Sequence, residues 1–509
     1  MKTLSQNRLV LIGQILLIMG ASYYLLVYFV LALTRLSYPF ELEWMEGGSV
    51  IQVQRILDGQ SLYVRPSLDF VPFIYTPLYF YISSLFAQIT ENGFLPLRLV
   101  SLLSSLGCLV LIYMIVYRRT ASCYASFMAS CLFAATFRIS GAWFDIARVD
   151  SLFLFLLLAG IYTFDAPGRF TRSFAAAILL FLSFFTKQTA LTTATCLLVA
   201  ALCTRRQTER YLFPLSFGFL MLASFLIMNT STAGWYQYYV FDLPVQHNVA
   251  TAMLVKFWTH DIAQPLPIAV CISLVPFFSL ATTKSKANSI IRDMFILGGL
   301  LLTSYFSRLH AGAYVNVLMP AYAGLSIYFG IGLHRLLKIT GQLSSIKIIV
   351  ILVVAFQFYA LFYPPGQQIP SARDKQQGQK LEALILSFEG EVYLADHPWY
   401  LGTLNKPTQA QYMAIIDIFR ASESEQWQET LVQELTTAVV ERRYEAFIID
   451  SKEFVMQVPN FENYYELVES NLSRNAFHPV TGVNRRPTYL YVRRTVQSDS
   501  ATDTDKQNR

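Results

Sequence analysis

Up to residue 363 the chain keeps returning to apolar runs, at 9–34, 95–117, 122–139, 148–165, 172–187, 189–203, 211–229, 263–282, 290–307, 314–333 and 346–363. About 20 apolar residues in a helix match the ~30 Å hydrocarbon core of a bilayer, and a helix satisfies its own backbone there. The runs therefore predict an α-helical polytopic membrane protein with about eleven transmembrane helices. Composition agrees: only 14% of residues are charged, where soluble domains carry about 25%. The first run exceeds a signal-peptide core and lacks a small-residue cleavage site, so it reads as a retained span.

In such a chain the net charge of +6 matters less than where the Lys and Arg fall. With Lys2 and Arg8 in the cytoplasm, the basic clusters Arg118-Arg119, Arg169/Arg172, Arg205-Arg206/Arg210, Lys284/Lys286/Arg292 and Arg335/Lys338 all fall on that side. This holds only if residues 75–90, short, aromatic and carrying Pro77, lie in the outer interface rather than cross it. The first external loop, residues 35–94, is then predicted to hold two interfacial helices, 46–57 and 77–88. An odd number of spans puts residues 364–509 outside as well.

That tail has a different composition. Pro364-Pro365-Gly366 reads as a linker. Segments 391–395, 444–450 and 487–493 read as strands, and 408–422 and 425–440 as helices. The expected organisation is a transmembrane domain at 1–363, a small extracytoplasmic α/β soluble domain at 364–497 and a disordered polar tail at 498–509. The six cysteines lie in or beside apolar runs and form no CxxC pair or His/Cys cluster. They read as small buried hydrophobes, with neither a metal site nor a disulfide framework.

The predicted outer face collects polar groups that are far apart in sequence. Glu41, Glu43 and Glu46 follow the first span, and Arg138, Asp145, Arg148 and Asp150 occupy the second external loop. Lys187 and Gln188 sit in a tight turn, and Arg308, His310 and Asn316 in a late one. Carboxylates at a membrane boundary are costly unless solvated, paired or used. Beside several cations they suit a reaction on a lipid-linked phosphate: a carboxylate takes a proton from an acceptor hydroxyl while Arg and Lys hold the phosphate leaving group. The catalytic candidates are Glu46, Glu43 and Asp150; the substrate-binding candidates are Lys187, Arg148, Arg308, His310, Tyr75 and Glu41. Plainer roles compete. The three glutamates can be solvated interfacial residues, Arg148 and Asp150 a helix-end pair, and His310 structural. Trp143, Trp235, Tyr236, Tyr238 and Tyr239 read as an interfacial aromatic belt, with a sugar pocket as the rival. Asp396-His397-Pro398-Trp399 reads as a loop after a strand, serving acceptor recognition or stability.

In order and topology the motifs resemble the GT-C superfamily of polyprenyl-phosphate-sugar-dependent glycosyltransferases, and within it the group of protein O-mannosyltransferases and lipid A aminoarabinose transferases. The resemblance covers residues 1–340. It rests on Glu43-Trp-Met-Glu-Gly-Gly-Ser49 leading to Asp58-Gly59, on Tyr75-Thr-Pro77, on Leu97-Arg98-Leu99, on Arg148-Val-Asp150 and on Lys187-Gln-Thr-Ala-Leu191. It implies an outer-face acid acting as base and basic residues binding the phosphate of a dolichyl- or undecaprenyl-phosphate sugar, with inversion at the anomeric carbon. Further implications are a glycan, lipid or protein acceptor, membrane lipids as surroundings, no nucleic acid, no cofactor or obligatory divalent metal, and a bacterial plasma membrane. The family often carries Asp-Glu at the acidic motif. Counting back from Gly59 puts Met45-Glu46 there, so Glu46 holds the acidic position, Glu43 is its rival and Glu41 comes third. The alternative function is a transporter or flippase of lipid-linked sugars, which more often shows repeats and broken helices with midplane charge; a membrane scaffold without activity is a third reading.

Overall fold

The computed structural model describes residues 2–165, 170–205, 207–278, 283–341, 343–470, 472 and 479–495. The expected disordered tail at 498–509, and Arg169 and Arg206 of the basic clusters, lie outside these residues. Helices occur at all eleven predicted spans. They include α1 (Lys2–Leu36), α4 (Phe94–Thr120), α5 (Cys123–Ala135), α6 (Asp150–Asp165), α7 (Phe170–Thr186), α8 (Ala190–Thr204) and α9 (Gln207–Ser231). A stretch bent by 90° follows, Met253–Ala263 with Pro267–Phe278, and then Lys284–Leu309, Val315–Ile339 and Ser344–Ala360. Between α1 and α4 lie α2 (Glu46–Leu57) and α3 (Leu78–Thr90), the two helices expected in the first loop.

Among the described residues five helices are long and apolar enough to cross a membrane alone, or up to seven if each of two bent pairs is one span. Length alone therefore supports five to seven of the eleven expected crossings. The four helices α5 to α8 have 13, 16, 17 and 15 residues, about 20–26 Å at 1.5 Å per residue. Neighbouring helices cover α5 and α6, most of whose residues are buried.

Ion pairs show that successive helices alternate in direction. At the end of α4, Arg119 bridges Asp165 at the end of α6 (2.6 Å) and Asp293 near the start of Lys284–Leu309 (2.7 Å). Arg292 joins the same Asp165 at 2.9 Å. The Arg205 guanidinium, at the end of α8, donates to the Phe164 carbonyl, and Arg335 to that of Pro276. These basic residues share one end of the bundle. The starts of α4, α6 and α8 and the ends of α1 and α7 lie at the other.

Local sequence sets the boundaries. The Ser122 hydroxyl accepts from the Ala125 amide and starts α5. Asp58-Gly59 ends α2, with Gly59 at φ +69°, a conformation glycine adopts without strain.

The tail packs on the second end. Its sheet has the order β1-β2-β4-β3, with β1 Glu391–Tyr393, β2 Tyr444–Ile449, β3 Tyr465–Val468 and β4 Tyr489–Arg493. β1 and β2 are parallel, joined by a crossover containing the helix Glu425–Val440; β4 is antiparallel to both neighbours. The elements additional to the expected ones include β3 and the helix Ala372–Leu386, which a Ser371–Asp374 capping box opens a few residues after the expected linker. Phe447, Tyr444 and Tyr491 of the sheet belong to one continuous apolar core with Phe40, Trp44, Val50 and Tyr79 of the first loop. The change of composition at residue 363 thus does not divide the core.

Two other expectations change. Tyr236 and Tyr239 are fully buried rather than forming a belt, Tyr238 bonds Ser424 at 3.0 Å and Trp235 packs edge-on to Trp427, so this segment anchors the tail. The six cysteines are free thiols, but only Cys108 and Cys131 are fully buried.

Candidate active site

The three acids of the first loop take three separate paths. Glu46, the first residue of α2, is fully buried and paired with Arg98 of α4 at 2.6 Å. Its oxygens also accept from the amides of Leu42 and Ala147, both at 2.7 Å. Burial alone would raise this carboxyl, but the Arg98 guanidinium and the two amides hold it below its usual range. Arg98 in turn donates to the carbonyls of Arg35, Tyr38 and Phe40. Glu46 and Arg98 tie α1, α2, α4 and the 136–149 loop together, and neither lines the central cavity.

Glu41 turns to the tail. It accepts from the Gly47 amide at 3.1 Å and meets His397 Nδ1 at 2.5 Å, while His397 Nε2 meets Asp450 at 3.1 Å. Against a burial that would lower it, Asp450 and Glu41 hold the His397 imidazole well above its usual value, so it carries its proton. Gly47 and Gly48 allow this close approach. A Cβ on Gly47 would lie 2.3 Å from Glu41 Oε1 and 2.9 Å from Trp399 Cβ, and one on Gly48 would lie 2.5 Å from Phe73 Cζ.

Glu43 alone of the three faces the cavity between bundle and tail. This cavity of about 460 Å3 is within the range of small-ligand sites. Arg148 Nη1 lies 3.4 Å from Glu43 Oε2, and Arg148 Nη2 donates to the Tyr75 hydroxyl at 2.9 Å. Burial pushes the Glu43 carboxyl up to about 8, against the pull of Arg148. From the tail, Gly482 (φ +82°) lies against Glu43: a Cβ there would be 2.8 Å from Glu43 Cγ.

Lys187, from the turn between α7 and α8, reaches the same cavity and bonds Asp150 Oδ1 at 2.6 Å. Asp150 also accepts from Asn316 Nδ2 (3.0 Å) and Trp143 Nε1 (2.8 Å), so it fixes three neighbours and lies behind the lysine. His310 lines the cavity, its Nε2 2.9 Å from His247 Nδ1. His247 Nε2 faces the Asp417 carbonyl at 2.7 Å. That carbonyl must receive a proton, so His247 donates to it and accepts from His310. Burial, with His247 next, lowers His310 to about 4 and leaves it neutral.

Arg308 does not reach the cavity. It pairs with Asp261 at 2.8 Å and donates to the Ala313 carbonyl at 2.7 Å. The structure therefore brings Glu43, Tyr75, Arg148, Lys187 and His310 around one space, puts Asp150 directly behind, and leaves Glu41, Glu46 and Arg308 outside it.

Three further groups on this wall come from the tail: Asp417, Arg420 and Arg485. Burial pushes Asp417 up to about 7, against the pull of Arg420 and Arg148. Asp417 had a legible signal, an acid inside the apolar run Met413-Ala-Ile-Ile-Asp-Ile-Phe419. Arg98, inside an apolar span, had one too. Arg420 and Arg485 sit in polar segments and had none. Among the described residues no group of three or more His, Cys, Asp or Glu could hold a metal ion.

No protein-family model matches the chain, and no curated protein does. Solved structures match it over nearly all of its length. The crystal structure of ArnT from Cupriavidus metallidurans bound to undecaprenyl phosphate superposes with a TM-score of 0.56 at 13% identity, covering 94% of this chain and 98% of that one. Its apo form gives 0.55, also at 13% identity, over 93% and 97%. The oligosaccharyltransferase AglB from Archaeoglobus fulgidus, in complex with an inhibitory peptide and a dolichol-phosphate, gives 0.50 at 10% identity over 87% and 72%. The chain has the GT-C membrane fold.

Proposed function

We propose that this protein transfers a sugar from a polyprenyl-phosphate donor to an acceptor at the outer face of the membrane. One observation carries the reading: a buried carboxyl, Glu43, meets two cations, Arg148 and Lys187, around one cavity at the end of an apolar bundle. The bound lipids of the two fold relatives, undecaprenyl phosphate and dolichol-phosphate, support it.

In this reading Glu43 is the general base. Its carboxylate takes the proton of an acceptor hydroxyl as the new bond to the anomeric carbon forms. The bond from that carbon to the phosphate oxygen breaks, and the electron pair leaves with polyprenyl phosphate. Arg148 and Lys187 hold the charge that develops there. Tyr75 orients Arg148, and Asp150 orients Lys187. A single displacement of a hexosyl or pentosyl group inverts the anomeric configuration. Glu46, with its oxygens already engaged, serves the scaffold. The polar groups gather at one end of the bundle rather than at mid-depth, which favours transfer over transport.

The test is release of polyprenyl phosphate from a polyprenyl-phosphate sugar by the purified protein supplied with a cell-envelope extract as the source of acceptor. Glu43→Gln is expected to abolish release, by about a hundredfold or more for loss of a general base, while retaining donor binding. Full activity in that variant would remove Glu43 from the mechanism, and no release by the unaltered protein would sink the transferase reading.

A further inference from the structure

We infer that Arg420 and Arg485 form a second oxyanion subsite, on the tail side of the cavity, that holds an anionic group of the acceptor. The inference rests on the transferase reading above and adds the acceptor's chemistry to it.

Arginine has five N–H donors in a rigid fork, so their use separates structural from ligand-binding guanidinium groups. Arg98 makes five hydrogen bonds to protein. Among the described residues Arg420 makes one, to Asp417 at 3.5 Å. Arg485 has there only an ion pair with Asp396 at 4.0 Å, and its buried Nε has no partner among them. Both arginines line the cavity with most of their donors uncommitted among the described residues.

Both are nevertheless positioned. Gly312 (φ +87°) makes room for Arg420: a Cβ there would fall 2.3 Å from Arg420 Nη1. Arg485 stands over the rings of Trp44 and Tyr412, at 5.4 and 5.6 Å from their centroids. Ring faces hold a guanidinium without consuming its in-plane donors.

Charge points the same way. Arg148, Lys187, Arg420 and Arg485 face two carboxyls on the wall, Glu43 and Asp417. A donor phosphate on Arg148 and Lys187 leaves the tail-side pair with only the loose contacts to Asp417 at 3.5 Å and Asp396 at 4.0 Å as counter-charge. A phosphate or carboxylate on the acceptor completes it, in the planar geometry that arginine prefers.

The test uses the full-length protein in lipid nanodiscs, saturated with polyprenyl phosphate and titrated calorimetrically with inorganic phosphate and, separately, with acetate. One further anion is expected to bind. Arg420→Gln and Arg485→Gln should each weaken it about tenfold, the worth of one charge-assisted contact, and leave polyprenyl phosphate affinity within about twofold. Tighter phosphate assigns a phosphorylated acceptor, and tighter acetate a carboxylated one. Charge-preserving Arg420→Lys and Arg485→Lys variants, with donor affinity as the measure of folding, cover the case in which a glutamine variant misfolds. The inference is overturned if no second anion binds, if the variants leave its binding unchanged, or if they cost polyprenyl phosphate affinity instead. Failure of the unaltered protein to bind polyprenyl phosphate would sink the transferase reading alone, because anion binding at these arginines is read separately.

Discussion

At Glu43 two demands meet. A base must be deprotonated to accept a proton, and it must be poor enough in solvation to want one. Burial raises this carboxyl to about 8 and Arg148 opposes the rise. In the proposed mechanism kcat/KM should therefore climb with pH up to about 8 and level off above, because only the deprotonated form accepts a proton. Arg148→Gln should move that limb upward, since the guanidinium is what pulls the carboxyl down. A midpoint near the ordinary carboxylate range of about 4–5 would exclude Glu43 as the base. Glu46 sits in equally dry surroundings with its countercharge at 2.6 Å. Glu46→Gln should lower thermal stability, since breaking a buried pair costs about 3–5 kcal/mol. Its donor affinity, measured on the fraction that stays folded, should not change. A variant as stable as the parent would show that the pair contributes little.

At the scale of elements, α2 and the tail depend on one another. Gly47→Ala places a methyl within 2.3 Å of Glu41 Oε1 and against Trp399, so α2 or the tail must shift. The expected cost is about 1–3 kcal/mol, as for overpacking a filled core. Faster proteolysis between residues 364 and 395 would report it; an unchanged cleavage rate would mean that the contact yields freely. The limits of α2 were legible because Asp58-Gly59 punctuates them. The apolar helices were legible from hydropathy, and so was the shortness of α7 and α8 in the runs 172–187 and 189–203; the shortness of α5 was not, since neighbouring helices rather than lipid cover it. The helix Ala372–Leu386 escaped notice because it is polar and follows a proline pair, although Ser371 and Asp374 already carried its capping pattern. Among site residues, composition and topology gathered Glu43, Arg148 and Lys187 at one face. What they could not show was pairing across distance: Glu46 with Arg98, Lys187 with Asp150, Glu41 with His397 and Arg308 with Asp261 all depend on how helices turn about their axes.

For the whole molecule, the ion pairs around Arg119 mark one end of the bundle and the cavity marks the other. By the positive-inside rule we propose that the basic end faces the cytoplasm. Cys123 and Cys203 are exposed thiols at that end. A membrane-impermeant maleimide should modify both in inside-out vesicles and neither in right-side-out ones. The reverse pattern would invert the orientation and put the cavity in the cytoplasm.

Glycine 482 lies against Glu43, and β4 follows only a few residues later, paired on both edges between β2 and β3. A ribosome makes that strand after every element it joins. The cavity wall therefore remains incomplete while the helices insert, and closes only once residues 489–493 have found their place. Completion of the cavity is thus timed by the order of synthesis: a nascent chain already threaded through the bilayer still lacks its last wall.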